Sequence, residues 1–202
     1  MTEAEQSLRD YLTDPHAAGA AYDAGEPDRL RKQRNLEPES AHLLWAIALT
    51  ANATDVLEIG TSNGYSTLWW ADAMTRTCGA VTSVDVDAAA QEQAAGHLRA
   101  CGLAEHARLV CADAGEHLRT VPSATVDVLF LDAERTEYTG WWPHPLRVVR
   151  PGGLVVLDNA TSPADELAPF VALLDQEPGT DRQLLHVGKG MQIVVKLADS
   201  PA

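Results

Sequence analysis

Residues 56–66 read VLEIGTSNGYS, a short apolar run that ends at a glycine, and from Tyr65 onward the pattern STLWWADAM turns helical. The unit is therefore strand, turn, helix. Gly60 and Gly64 let the backbone turn sharply and let a ligand lie against it. The helix N-terminus opened there suits a carboxylate or a phosphate. The spacing is G-x-x-x-G, not the G-x-G-x-x-G of dinucleotide binders, and no G-K-[ST] follows as in a Walker loop. Glu58 sets a carboxylate beside the turn, which repels a pyrophosphate and attracts an ammonium group. Taken alone, the segment is either a ligand cradle or a plain strand-to-helix connection.

The same alternation extends in both directions. EPESAHLLWAIALTA predicts a helix from about Glu39 to Thr50, with Pro38 suited to its start. Downstream, AVTSVDV, ARLVCAD, TVDVLFLD and LVVLDN read as strands, separated by helical stretches at 88–102, 114–121 and 138–149. TVDVLFLD is almost continuously apolar, as a strand of a parallel sheet covered on both faces must be. A helix over DELAPFVALLDQ follows, bearing Pro169, and RQLLHV and MQIVVKL flank Gly188-Lys189-Gly190 as a closing β-hairpin. Residues 1–14 read as helix and 15–27 as a mobile connection. The fold class is α/β.

Composition narrows the function. The chain has 202 residues, the length of one domain, with 46% hydrophobic and 22% charged residues, so a packed core is expected. Lys plus Arg is 15 and Asp plus Glu is 29, a formal charge of −14 that argues against nucleic acid or anionic lipid as partner. The acidic N-terminus lacks the pattern of a secretory signal, and the longest apolar stretch, 43–51, is less than half a membrane span, so no membrane association is expected and the cytoplasm is the default location. Cys78, Cys101 and Cys111 form no metal-binding spacing and are expected to be small buried hydrophobes.

Two further groups carry chemistry. Asp85 closes the second strand, where an acid either accepts hydrogen bonds from two ribose hydroxyls or, like Asp87, caps the helix that begins near Ala88. With the glycine turn and Glu58, the ribose reading points to a nucleoside bearing a cationic amino acid, S-adenosylmethionine. Asp132 after VLFL, and Asp158 with Asn159 after LVVL, stand at strand ends that open onto one crevice. Two carboxylates and an amide oxygen are hard ligands for Mg²⁺ or Ca²⁺ rather than zinc; the other reading is that they start turns and cap helices. Trp69 and Trp70 read as core, whereas Tyr138, Trp141 and Trp142 either wall an acceptor pocket or pack against the sheet.

From residue 35 to residue 196 the sequence resembles the class I S-adenosylmethionine-dependent methyltransferases, most closely the catechol and caffeoyl-coenzyme A O-methyltransferases. The resemblance is carried, in order, by VLEIGTSNGYSTL, SVDVD, CADA, FLDAERTEY, LRVVRPGGLVVLDN and GKGMQIVVK. It implies a Rossmann-like, seven-stranded sheet of order 3-2-1-4-5-7-6 with the last strand antiparallel, and divides the chain into an N-terminal helical extension and connection (1–34) and a methyltransferase domain (35–202). It further implies that Glu58, Gly60 and Ser66 hold the methionine portion, Asp85 the ribose, and Asp113 and Ala114 the adenine. Backbone groups of Asn35 and Leu36 would meet the cofactor carboxylate. Asp132 would serve both cofactor amine and metal, with Asp158 and Asn159 completing a site for Mg²⁺ or another divalent cation such as Ca²⁺ or Mn²⁺. The implied acceptor is a small hydroxylated, catechol-like aromatic, and the implied assembly a homodimer.

One position departs from the family. Where members carry a lysine that acts as general base, three residues after the first metal aspartate, this chain has Arg135. Arginine stays protonated, so it can hold an oxyanion but cannot accept a proton. Arg135 is either that oxyanion holder, with Asp132 the other catalytic residue, or a surface cation paired with Glu134 or Glu137. The alternatives to a metal-dependent O-methyltransferase are a metal-independent small-molecule methyltransferase, a non-catalytic S-adenosylmethionine-binding protein and, disfavoured by the glycine spacing and the hairpin, a nicotinamide-dependent oxidoreductase.

Overall fold

The structure, a computed structural model, describes residues 3–27, 35–161 and 164–198. Seven strands form one sheet: β1 (Asp55–Ile59), β2 (Ala80–Asp85), β3 (Ala107–Cys111), β4 (Val126–Leu131), β5 (Val149–Leu157), β6 (Thr180–Leu185) and β7 (Met191–Lys196), ordered β3-β2-β1-β4-β5-β7-β6. β1 to β5 pair in parallel and β7 runs antiparallel to both neighbours. Helices α1 (Glu3–Gly25), α2 (Pro38–Thr50), α3 (Tyr65–Thr77), α4 (Ala88–Ala100), α5 (Ala114–Thr120), α6 (His144–Val148) and α7 (Ala164–Leu174) cover the two faces. Among the described residues no helix is long and apolar enough to cross a membrane.

β4 shows why the apolar runs become central strands. All six of its residues are buried, and from Val128 to Leu131 they alternate between two cores. Val128 and Phe130 pack with Leu44, Leu68, Trp70 and Met74 from α2 and α3. Leu129 and Leu131 pack with Tyr138, Phe170 and Val194 on the other side. Each such side chain contributes roughly 1.5–3 kcal/mol when fully buried. The strand tips carrying Gly60, Asp85 and Asp132 line a cleft, with the buried Asp158 at the neighbouring β5 tip.

Three expectations need correction. α1 runs on through Pro15 to Gly25 instead of stopping near residue 14. The segment AAGAAYDA is rich in the strongest helix former, which carries the helix across what the glycine and aspartate suggested was a loop. β5 begins at Val149, five residues before the LVVLDN run, and carries Gly152 and Gly153 within it where its pairing with β4 shifts register, so the preceding α-helix shrinks to His144–Val148. The cysteines are not buried: Cys78 and Cys111 are exposed and Cys101 is half-buried.

Candidate active site

The tips of β1, β2 and β3 wall a cleft of about 860 Å³ that extends to the tip of β4 and includes Gly60, Asp85, Asp113, Ala114, Asp132 and Trp141. Its central acid is held by backbone. Asp85 Oδ2 accepts from the amides of Thr61 (3.0 Å) and Ser62 (2.9 Å), and Oδ1 accepts from Asp87 N (3.0 Å). Helix α4 is capped by Asp87, which accepts from Ala89 N and Ala90 N, so the capping alternative for Asp85 falls away. Asp85 instead ties the glycine turn to β2 while its carboxylate lines the cleft, and two oxygens with about four acceptor positions retain capacity beyond three amides.

Gly60 is needed where it is. Its φ is +103°, and a Cβ there would collide with the backbone carbonyl of Asp132, so the β1 and β4 tips touch main chain to main chain. Gln91, which no sequence pattern singled out, is buried and braces the turn from below. Its Nε2 donates to Thr61 Oγ1 (3.0 Å) and Val110 O (3.1 Å). Asp113 lines the cleft and also caps α5 through Glu116 N (2.8 Å).

Glu58 and Ser66 lie beneath this cleft rather than in its wall. Glu58 is fully buried, its Oε2 accepting from Thr67 Oγ1 and Ser83 Oγ, each at 2.5 Å. Burial pushes its carboxyl up to about 7 against the hydroxyls of Ser66, Ser83 and Thr67, which favour the charged form. Ser66 thus helps hold the charge, although no group meets Oε1 at hydrogen-bond geometry. The Leu36 side chain is in the core, which leaves only its backbone for a ligand, and Asn35 is half-buried beside it.

At the other end of the crevice the tips of β4 and β5 are in register. Asp132 N donates to Ile59 O and Asp158 N to Leu131 O, and the charges of Asp132 and Asp158 both act on the buried Tyr138 hydroxyl. Asp158 is 2% exposed, with Oδ2 accepting from Asn159 Nδ2 (2.7 Å) and Oδ1 without a partner. Burial chiefly, and the nearby Glu37 carboxylate, push Asp158 up to about 6. Asn159 takes φ +55°, a left-handed conformation that asparagine tolerates better than most residues. Among the described residues no three His, Cys, Asp or Glu side chains gather as a metal cluster. A buried carboxylate oxygen lacking a hydrogen-bond partner, as Asp158 Oδ1 is, is the sort of atom a hard cation satisfies.

Arg135 is where the surface reading fails. It is 6% exposed, and neither Glu134 nor Glu137 is its partner: Nε (3.1 Å) and Nη2 (2.7 Å) both donate to Glu166 Oε2 on α7, and Nη1 donates to Asn159 O (3.1 Å). A second pair bridges the same end from outside. Lys189 Nζ in the β6–β7 turn meets Glu37 Oε1 at 2.7 Å, while Ala160 N and Thr161 N donate to the carbonyls of Gly190 and Lys189. Glu166, Glu37 and Lys189 had no signal in the sequence beyond their charge. Among the aromatics, Trp69 and Trp70 are core as expected, Tyr138 is fully buried with its hydroxyl on the Ala133 backbone, and Trp142 packs on Phe170. Trp141 lines the cleft at the α5 end, its ring 3.0 Å from where a Gly115 Cβ would stand.

Comparison with known proteins gives a consistent picture. A family model described as a methyltransferase domain matches residues 57–160. Catechol O-methyltransferases of Niastella koreensis and Mycobacterium tuberculosis are 27% and 28% identical to this chain, covering 76% and 82% of it and 76% and 78% of themselves. Among solved structures, the Streptomyces achromogenes O-methyltransferase TomG, involved in tomaymycin synthesis and in complex with SAM, matches with a TM-score of 0.77 at 24% identity, over 98% of this chain and 100% of that one. A Bacillus cereus O-methyltransferase in complex with SAH matches with a TM-score of 0.75 at 20% identity, over 92% and 90%.

Proposed function

The chain belongs to the class I O-methyltransferase family, and from that premise we propose that it moves the methyl group of S-adenosylmethionine to a hydroxyl of a small catechol-like acceptor, with a divalent cation at the β4 and β5 tips. The observation that carries the reading is the Asp85 carboxylate, fixed by three backbone amides on the wall of a cleft that runs on to Asp132.

In this reading Asp85 accepts from the ribose hydroxyls, and the backbone at Asp113 and Ala114, with Trp141, borders the adenine. Gly60 leaves the turn open to the methionine portion. Glu58 places a buried carboxyl, pushed up to about 7, below that turn, and its ionised form draws the cationic end of the ligand inward. Asp132 would serve both the cofactor amine and the cation, with Asp158 and Asn159 completing the protein's oxygen donors. A bound divalent cation supplies acidification of the acceptor hydroxyl and a template that aims it at the methyl group. Holding the acceptor in near-attack geometry is worth roughly 7–11 kcal/mol in favourable cases, so orientation is the main contribution asked of the chain.

Arg135 is not the base. A guanidinium stays protonated, and this one spends its donors on Glu166 and the Asn159 carbonyl. It acts as a positioning residue, fixing the backbone of one donor and clamping α7 across the crevice. The test is methylation of a catechol by purified protein, followed as S-adenosylhomocysteine release. Chelator should abolish turnover and added Mg²⁺ restore it. Turnover indifferent to chelator, and surviving Asp158→Ala, would instead fit a metal-independent methyltransferase.

A further inference from the structure

Helix α1 docks through one face. Leu12 and Gly19 are buried, Tyr11 Oη meets His97 Nδ1 at 2.8 Å, and the His16 ring lies 5.4 Å from that of Tyr65. These positions recur at helical spacing, and the next one on the same face is Tyr22. Tyr22 is not covered. It is 47% exposed and lines the cleft beside Ser62, Asn63 and Ala90. Tyr11 meets His97 in the last turns of α4, while Tyr22 shares the cleft lining with Ala89 and Ala90 of its first turn, so the docking stripe ends at the cleft. Three large hydrophobic side chains are exposed among the described residues, and two of them, Tyr22 and Val86, stand at this mouth.

An aromatic ring on the packed side of a helix, with open cleft below it, has one face available for a ligand. The hydroxyl already points elsewhere, toward Glu26 Oε2 at 3.4 Å. We infer that Tyr22 closes the outer wall of the cleft over the bound nucleoside, so that α1 is a cofactor-retaining arm and not merely an appended helix. This rests on the S-adenosylmethionine reading above. Coupling is reciprocal: whatever affinity the ligand gains from Tyr22, the docking of α1 gains from the ligand.

The experiment is calorimetric titration of wild type, Tyr22→Ala and Tyr22→Phe with S-adenosylhomocysteine, paired with amide hydrogen exchange over residues 11–25. Tyr22→Ala should weaken binding about 5–10-fold, as the loss of one aromatic contact does, and Tyr22→Phe should stay within about twofold. Ligand should slow exchange in α1 of the wild type and not of Tyr22→Ala. Tyr22→Ala binding as tightly as a binding-competent wild type overturns this inference alone. Faster α1 exchange in unliganded Tyr22→Ala than in unliganded wild type also overturns it, because Tyr22 would then serve docking by itself. A wild type that fails to bind the ligand overturns the methyltransferase reading and this inference together.

Discussion

The two ends of the crevice are built by different means. At the β1–β2 end the central carboxylate is held by main-chain amides of Thr61, Ser62 and Asp87, groups that a strand-turn-helix supplies whatever its side chains are. At the β4–β5 end the ties run through side chains brought from elsewhere: Arg135 links Glu166 on α7 to the Asn159 carbonyl, and Lys189 pairs with Glu37 before α2. The first end follows from local sequence and is rigid by construction. The second depends on distant segments meeting, which is also how an acceptor pocket can change while the cofactor cleft stays the same.

Substitution can break that contrast, and Asp158→Ala should do so most severely. We expect turnover to fall about a thousandfold, several kcal/mol of lost cation-dependent stabilisation, with S-adenosylmethionine affinity within about threefold of wild type by calorimetry. A parallel collapse of affinity would mean that the two ends are one unit. Asp85→Ala should do the reverse. Removing the acceptor of three amides should weaken cofactor binding about a hundredfold, at about 1–3 kcal/mol per charge-assisted hydrogen bond lost, and binding near wild type would refute the ribose assignment.

Arg135→Met sharpens the comparison by separating clamp from chemistry. It takes the guanidinium away from the largely buried Glu166 carboxylate, so chemical denaturation should show a loss of about 2–3 kcal/mol, and Arg135→Met with Glu166→Leu should recover most of it. If the single substitution leaves stability unchanged, the pair is not a clamp. The pH profile of stability probes the first end. Glu58 has a folded pKa of about 7 against an ordinary 4.5, so its contribution is fully present below 4.5 and is lost as pH rises through 7. Between pH 5.5 and 7.5 the wild type should lose about 2 kcal/mol from this group, and Glu58→Gln should flatten that slope in thermal melts. The smallest effect belongs to Lys189→Met. Its ion pair with Glu37 is half in solvent, and less than about 1 kcal/mol of stability should be lost.

The same contrast accounts for what could be read from the sequence. Order and type of the strands, the glycine turn and Asp85 lie in contiguous runs whose period and punctuation encode them. The placement of Asp132, Asp158 and Asn159 at neighbouring strand tips is legible because parallel strands end on one side. The partner of Arg135 was not, since charge and spacing favour its neighbours Glu134 and Glu137, and only the path of α7 delivers Glu166. Propensity misled once, at Pro15, where a proline and its glycine-bearing neighbours outweighed an alanine-rich run that in fact continues as helix.

The strand order has a consequence for synthesis. β7 sits between β5 and β6, yet it leaves the ribosome after both. Until it arrives, β6 has no neighbour to pair with and β5 presents an open edge. A nascent chain can therefore assemble the β1–β2 half of the sheet while still tethered, whereas the β5–β6 half must wait for a late strand to slot into an already formed edge.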